Sequence, residues 1–185
     1  MFNDTVIESI RAARAESIDL SKWGLGVRPL GGPEERRAII EALLPRVKYL
    51  PLDEREGFLD RLQQRAGYPR LPTGLMMRSE QVVELHRAGM EIGGHTVRHP
   101  ILRVLEDAEA EAEIAAGRMC LQTLTGAPVD VFAYPNGRPM QDFDLRHVQM
   151  VRRLGFRCAV STANGLSGPA DDRFQLPRFT PWDRS

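Results

Sequence analysis

The spacing of hydrophobic residues changes near residue 75 of this 185-residue chain. Before that point apolar residues recur at three- and four-residue intervals, which is the period of an amphipathic helix. The pattern predicts helices around Val6–Ile10, from Pro33 to about Pro45, and around Phe58–Leu62, each behind a capping or helix-opening signal such as Asn3, Pro33 or the Asp53/Glu56 pair. No alternating apolar–polar run that is typical of a strand occurs before residue 75. Residues 1–75 are therefore predicted to be helical and irregular, with a glycine- and proline-rich loop over 24–33.

After residue 75, short apolar runs alternate with helical patterns. Strands are predicted at 90–94, 129–134 and 156–160, with a final extended piece at 174–180. Helices are predicted from Ser79 to Gly89, over 104–124 and over 144–154; the apolar face of the second consists of Ala108, Ala112, Ala115 and Met119. Strands that alternate with helices pair in parallel through right-handed crossovers. The loops after the strands, with His95, Asn136 and Asn164, should therefore lie at one edge of the sheet.

The segment His95-Thr96-Val97-Arg98-His99 follows the first of these strands and carries the clearest chemical signal. Two glycines precede it and let the backbone approach its surroundings closely, and Pro100 disfavours helical geometry at His99. Two neutral imidazoles at this spacing can bind one divalent ion, but a catalytic zinc usually has three protein ligands and an open position. The same spacing also arises by chance in many chains. Its position after a strand of an α/β pattern favours the ligand interpretation.

Composition narrows the function classes. Lysine and arginine together number 25, as do aspartate and glutamate, which argues against a nucleic acid or an anionic membrane held by bulk charge. The two cysteines, Cys120 and Cys158, do not indicate a disulfide framework or a cysteine zinc site. No apolar run approaches the roughly 20 residues that span a bilayer. The N-terminus lacks the features of a signal peptide, so a cytoplasmic location is the default expectation.

Several segments resemble motifs of the polysaccharide deacetylases, the NodB-like carbohydrate esterase family. The sequence Gly-Gly-His-Thr-Val-Arg-His-Pro at 93–100 is similar to the H-[ST]-x-x-H metal motif of the family. The sequence Phe-Ala-Tyr-Pro-Asn-Gly at 132–137 is similar to the variant of the next motif in which Y-P-x-G replaces R-x-P-Y. Residues 154–165 resemble the following strand, and residues 176–178 resemble the closing segment. The resemblance covers about residues 75–182.

The resemblance implies a partial or distorted (β/α) barrel with parallel strands that binds a divalent metal, usually zinc. The family removes acetyl groups from N-acetylated sugars, or formyl and related groups from other C–N bonds, with a metal that polarises the carbonyl and activates water. By motif match, His95 and His99 would be metal ligands and the backbone N–H of Asn136 would hold the oxyanion. Tyr134 and Pro135 of the same motif would contact the substrate.

The chain departs from the family pattern in three places. The first motif of the family, an Asp–Asp pair that supplies the catalytic base and the third metal ligand, does not occur before His95. The closing segment lacks the histidine of the family's Leu-x-His acid, and Ala133 stands where the third motif normally has arginine. Arg178 could supply some of that charge. Residues 1–75 resemble a helical insertion that some members carry after the Asp–Asp motif, which implies a missing N-terminal segment.

Other residues have both a structural and a functional interpretation. His147 could be a displaced acid, although a solvated helical histidine is more common, and His86 is best explained by the last turn of its helix. Asp142 lies close enough to the Pro-Asn-Gly loop to bind a metal, whereas Asp144 is better explained as a helix cap. Trp182 could stack on a sugar ring or cover the edge of the core. Arg98 could bridge ligand and substrate or be simply exposed.

Two functions follow from the sequence. The first is a metal-dependent hydrolase that acts on non-peptide C–N bonds of acylated amino sugars and is impaired because the base is missing. The second is a non-catalytic remnant or a carbohydrate-binding module on the same scaffold. In either case we expect an α/β fold with an insertion-like helical segment at 1–75, the C-terminal part of a barrel at 76–185, and a single domain overall.

Overall fold

The computed structural model describes residues 1–67 and 72–179. The chain divides into two compact units, Met1–Met76 and Met77–Ser185. Within the described residues, the structure contains no helix with the length and apolar character needed to cross a membrane. The first unit consists mainly of helices, and the second carries the candidate site.

The first unit is built from helices α1 (Phe2–Ala12), α2 (Pro33–Lys48) and α3 (Leu52–Arg65), as the hydrophobic spacing predicts. Their buried faces meet in one core, which includes Val6, Ile10, Ile39, Leu43, Phe58 and Leu62. Helix α2 passes through Pro45, where the sequence predicts its end, because buried Val47 continues its apolar face to Lys48. Helix α3 begins after Pro51, so Asp53 lies in its first turn and is not its cap.

The prediction of no strand before residue 75 is wrong. Strands β1 (Ser17–Asp19) and β2 (Val27–Pro29) pair antiparallel, with Ile18 opposite Arg28. Each strand has only three residues, and Ile18 is buried while the residues of β2 are exposed. Strands this short contain too few alternating positions to produce a visible pattern in the sequence.

The second unit contains α4 (Ser79–Arg87), α5 (Asp107–Thr125), β3 (Val131–Ala133), α6 (Leu145–Arg153) and β4 (Cys158–Val160). Strands β3 and β4 pair in parallel with α6 between them, which confirms the predicted α/β arrangement. The predicted strand at 90–94 is reduced to one parallel bridge between Gly94 and Phe132. The extended piece near the C-terminus is reduced to a parallel bridge between Val160 and Leu176.

The buried face of α5 differs from the predicted one. Ala110, Glu113, Ile114 and Gly117 are buried on it, whereas Ala108, Ala112 and Met119 are exposed. The buried residues have the i, i+3, i+4, i+7 spacing of one helical face. The prediction failed because it selected alanines and a methionine by hydrophobicity, while the true face contains a glutamate and a glycine.

Two of the candidate residues, Asp144 and His147, form the cap at the start of helix α6. The side chain of Asp144 accepts a hydrogen bond from the backbone N–H of Arg146 at 3.1 Å, which confirms Asp144 as the cap. His147 is fully buried, so the prediction that it is solvated is wrong. Its Nε2 lies 3.1 Å from the carbonyl oxygen of Leu102, and its Nδ1 lies 3.1 Å from the backbone nitrogen of Asp144. Because the carbonyl can only accept, Nε2 carries the proton and Nδ1 accepts from Asp144.

This buried imidazole should make stability depend on pH. Burial lowers the pKa of His147, and nearby Arg146 adds to that effect while Asp144 opposes it. A folded-state pKa below the ordinary value near 6.5 means that the unfolded chain binds the proton more readily. The stabilisation is therefore complete above about pH 6.5 and is lost as the pH falls towards the folded-state pKa. We expect His147→Gln, which keeps a side-chain acceptor for the cap, to flatten the pH dependence of urea unfolding between about pH 7 and 5. If the unfolding free energies of wild type and His147→Gln changed equally with pH, the lowered pKa of His147 would not be the cause.

Candidate active site

The loops that carry the candidate residues leave from one edge of the small parallel sheet. The backbone nitrogen of Gly94 donates to the carbonyl of Val131 at 2.8 Å, and Ala133 donates to Gly94 at 2.9 Å. These bonds and the β3–β4 pairing place the chain after Gly94, after Ala133 and after Val160 at the same end of the sheet. The structure thus brings the histidine segment, the Tyr-Pro-Asn-Gly turn and the loop after β4 to a common edge.

The two glycines before the histidines serve the packing of the sheet. A Cβ atom on Gly94 would lie 3.1 Å from the ring of Phe156 and 3.3 Å from that of Phe132. A Cβ on Gly93 would lie 3.3 Å from the carbonyl oxygen of Val131. The close approach predicted from these glycines therefore occurs against neighbouring protein groups, and it lets His95 begin directly at the sheet edge.

The two imidazoles are neighbours. The ring centroids of His95 and His99 lie 4.7 Å apart with an edge-to-face angle of 72°. The Nδ1 atom of His95 lies 2.7 Å from the carbonyl oxygen of Ala133 on β3. Since that oxygen can only accept, Nδ1 carries the proton and Nε2 keeps its lone pair. This is the arrangement in which a histidine presents Nε2 to a metal while a backbone carbonyl fixes the ring.

The segment between the histidines has an uncommon backbone. Thr96 has φ 62° and His99 has φ 54°, both in the left-handed region that glycine usually occupies. A β-branched residue such as threonine is a true outlier there, and such positions cost on the order of 1–3 kcal/mol each. They persist only when surrounding contacts hold the backbone.

Helix α5 supplies contacts to this segment from two consecutive turns. Oε2 of Glu113 accepts from the backbone nitrogens of Val97 at 3.0 Å and Arg98 at 2.9 Å, and Oε1 accepts from Nε of Arg98 at 2.6 Å. Burial acts to raise the pKa of Glu113, but the hydrogen bonds from Arg98 and Val97 and the Arg98 charge outweigh it and hold the pKa below its ordinary range. One turn further on, a Cβ on Gly117 would lie 3.0 Å from the backbone of Thr96.

Arg98 itself points back to this helix. Its guanidinium pairs with Glu113 and, at 3.3 Å, with Glu109, and its side chain is partly exposed. The sequence offered two interpretations of Arg98, a bridge between ligand and substrate or a simply exposed side chain. The structure adds a third, an ion pair that connects the histidine segment to α5.

The Asn136 turn is fixed to the neighbouring loop. Asn136 has φ 58° and Gly137 has φ 71°. The hydroxyl of Thr162 donates to the carbonyl of Asn136 at 2.7 Å, and the backbone nitrogen of Thr162 donates to Gly137 at 2.8 Å. The side-chain nitrogen of Asn136 is buried and has no hydrogen-bond partner within residues 1–67 and 72–179. A buried donor in this state is costly unless a ligand supplies its acceptor.

The other residues of the same turn face the interior. Tyr134 is buried, its ring stacks on Phe143 at 3.7 Å, and its hydroxyl donates to the carbonyl of Phe174 at 2.9 Å. Burial raises the pKa of this hydroxyl. Pro135 is also buried. The predicted contact of Tyr134 and Pro135 with substrate stays a prediction.

The remaining candidates are spread over the same unit. Arg178 is exposed, and its backbone nitrogen donates to Ala163 in the loop after β4, at 2.9 Å. Asp142 is buried, and its carboxylate accepts from the backbone nitrogen of Arg138 at 3.0 Å. Asn164 is exposed, and His86 lies in the last turn of α4 as predicted. Trp182 lies outside the described residues.

Comparison with known proteins gives the family. The sequence model of the polysaccharide deacetylases matches residues 62–159, just over half of the chain. The chain belongs to the polysaccharide deacetylase family. No curated protein sequence gives a significant match.

Solved structures give the fold of this deacetylase-family chain. It is similar to the deacetylase PplD of Streptococcus pyogenes, solved in complex with acetate, with a TM-score of 0.54 and 24% identity over 58% of this chain and 46% of that one. A polysaccharide deacetylase from Bacillus cereus matches with a TM-score of 0.49 and 22% identity, over 58% of this chain and 33% of that one. IcaB from Ammonifex degensii matches with a TM-score of 0.49 and 24% identity, over 57% of this chain and 49% of that one. The chain therefore spans less than half the length of each of these proteins. Its likeness to PplD shows that its fold corresponds to part of the deacetylase (β/α) barrel.

The family implies a divalent metal, and the histidine pair has donors that suit one. Two adjacent imidazoles, one with its Nδ1 proton fixed by a carbonyl, suit a divalent transition metal. In the part of the chain that the structure describes, no group of three or more histidine, cysteine, aspartate or glutamate residues is arranged to hold an ion. The histidine pair thus offers two donors of the kind that a divalent transition metal takes.

Sequence reasoning missed Glu113 and Gly117, the two α5 residues that touch the histidine segment. A signal for them was present, because Ala110, Glu113, Ile114 and Gly117 have helical spacing on one face. A glycine inside a helix lowers helix stability and often marks a close backbone approach. Together with a glutamate one turn earlier, it could have identified the surface on which the histidine segment rests.

Proposed function

We propose that this deacetylase-family chain carries part of a metal-dependent site that hydrolyses the acyl C–N bond of acylated amino sugars. The observation that carries the proposal is the pair of adjacent imidazoles at the sheet edge, with Nε2 of His95 left available by the Ala133 contact. The buried side-chain nitrogen of Asn136, which has no acceptor among the described residues, supports a ligand site at the same edge. Residues 1–75 are proposed as an insertion-like helical segment.

The residues have distinct roles in this proposal. His95 and His99 would hold a divalent ion, with zinc as the first choice. Such an ion supplies Lewis acidity, which polarises an acyl carbonyl and lowers the pKa of water. The backbone N–H of Asn136 would donate to the oxyanion that develops on the substrate, and Arg178 could add positive charge. Tyr134 and Pro135 would shape the turn that presents this N–H, and Trp182 stays a candidate for stacking on a sugar.

Catalysis by the chain alone is expected to be slow. Amide hydrolysis also needs a base to take a proton from water, and such a base contributes roughly 10²–10⁴-fold. Within the described residues, no carboxylate joins the two histidines in a group that could hold an ion. We therefore expect metal binding of reduced affinity and weak release of acetate.

The assay for this function measures acetate release from an N-acetylglucosamine oligosaccharide in the presence of Zn²⁺ or Co²⁺. We expect a slow release that requires added metal, stops with a chelator and is lost in His95→Ala. His86→Ala, a histidine in the last turn of α4, is the matched control and should keep the wild-type rate. Release that survives both the chelator and His95→Ala would place the chemistry elsewhere.

The second candidate is a non-catalytic carbohydrate-binding module on the same scaffold. It is favoured by the lack, among the described residues, of a third metal-binding side chain beside the two histidines. Calorimetric titration with the same oligosaccharide separates the candidates: saturable binding without any metal-dependent acetate release supports the module, and release supports the hydrolase.

A further inference from the structure

The backbone between the two histidines does not hold its own shape. Thr96 and His99 both have positive φ, at 62° and 54°, and neither is a glycine. Both dihedrals contribute to where the rings of His95 and His99 lie relative to each other. Without contacts that hold it, such a segment relaxes towards the ordinary regions of the backbone map, and that relaxation would change the relative placement of the rings.

Glu113 is placed to prevent this relaxation. Its carboxylate accepts two backbone N–H groups and one guanidinium N–H, at 2.6 to 3.0 Å, all from Val97 and Arg98. It is only 6% exposed. A buried carboxylate is costly unless it is paired and hydrogen-bonded, so these three bonds are strongly favoured together. Val97 and Arg98 lie between the two histidines, so the bonds fix that stretch of backbone on α5.

We propose that Glu113 is a positioning residue that sets the separation of the His95 and His99 rings by binding the backbone of Val97 and Arg98. The proposal rests on the proposed metal-dependent function, because the separation of the rings determines how well they bind one ion. The side chain accepts three hydrogen bonds, all from Val97 and Arg98. It acts through the loop, as groups do that orient metal ligands from outside the coordination shell.

The test compares Glu113→Gln with Glu111→Gln on the same helix, whose carboxylate pairs with Arg153 at 3.3 Å. A glutamine at 113 keeps one acceptor oxygen but turns an NH₂ group towards N–H donors, so it cannot make all three bonds. We expect the dissociation constant for Zn²⁺, measured by chelator competition on the whole chain, to rise about 10–100-fold in Glu113→Gln. The control should stay within about twofold of wild type, because it leaves the loop untouched.

Two spectroscopic readouts separate positioning from a loss of fold. The d–d absorption bands of bound Co²⁺ report ligand geometry and should shift in Glu113→Gln but not in the control. In the metal-free chain, amide hydrogen exchange at Val97 and Arg98 should accelerate, while exchange in α5 and the circular dichroism spectrum stay unchanged. If Glu113→Gln does not fold, Glu113→Asp, which keeps the charge but is one methylene shorter, should show the same Co²⁺ shift.

The outcomes distinguish this inference from the proposed function. Wild-type Zn²⁺ affinity and an unshifted Co²⁺ spectrum in Glu113→Gln would overturn the positioning role. If wild type and His95→Ala bind Zn²⁺ equally, or neither binds, the proposed function fails. The metal-free measurements then decide the inference: faster exchange at Val97 and Arg98 with altered ring proton shifts of His95 and His99 supports it, and unchanged values overturn it.

Discussion

Replacing both His95 and His99 with alanine should abolish specific zinc binding by this chain. The rings lie 4.7 Å apart, and the Ala133 carbonyl leaves Nε2 of His95 available as a donor. Loss of groups that only orient ligands costs roughly 10–100-fold in affinity, so loss of the ligands themselves should cost more. Titration of the chain with Zn²⁺ in the presence of a chromophoric competitor gives the dissociation constants. Each single alanine variant should show an intermediate affinity.

Two other histidines provide controls for that titration. His86 lies in the last turn of α4, and His147 is buried in the α6 cap, where both ring nitrogens are engaged. His86→Ala and His147→Gln should therefore bind zinc as wild type does. Tight zinc binding that persists in the variant with both His95 and His99 replaced by alanine would contradict the assignment of the ion to this segment.

The helices and the parallel pairing could be predicted because their signals are local and repeated. Helix α6 shows this well, since Asp144 at its start and Gly155 after its end mark its bounds in the sequence. Strands β1 and β2 could not be predicted, because three residues with one buried position, Ile18, contain no repeat. Of the strand predicted at 90–94, the structure has only a parallel bridge between Gly94 and Phe132. Strand pairing depends on residues of the neighbouring strand, which the local sequence pattern does not describe.

The candidate site also has parts that could be predicted from the sequence and parts that could not. The motif located His95 and His99, and the order of strands located the Asn136 turn, so both could be placed at one edge from sequence. The orientation of the side chains could not be predicted in this way. Tyr134, for example, stacks on Phe143 and donates to the carbonyl of Phe174 in the core. The burial of His147 was likewise missed, because its partner Leu102 is distant in sequence and its hydrogen bond is set by tertiary packing.

Gly117 should be the position where a single added methyl group disturbs the histidine segment most. A Cβ there would lie 3.0 Å from the carbonyl carbon and oxygen of Thr96 and 3.2 Å from its Cα, all backbone atoms that cannot rotate away. In a helix interior, glycine to alanine ordinarily stabilises by about 0.5–1 kcal/mol. Here the overlap should reverse the sign, because overpacking costs roughly 1–3 kcal/mol. The displaced Thr96 should also move His95 and weaken zinc binding.

Gly57 on α3 offers the same substitution without that obstacle. A Cβ at Gly57 would lie 3.2 Å from the guanidinium of Arg61, the end of a flexible side chain that can swing aside. Gly57→Ala should therefore stabilise its helix by about 0.5–1 kcal/mol and leave zinc affinity unchanged. Native-state amide hydrogen exchange measures the opening free energy of α5 and α3 separately, and the zinc titration supplies the second readout. If Gly117→Ala stabilised α5 as Gly57→Ala stabilises α3, with zinc affinity unchanged, the histidine segment would not rest on Gly117. The expected result has opposite signs at the two glycines, because backbone meets the new methyl group at one and a movable side chain at the other.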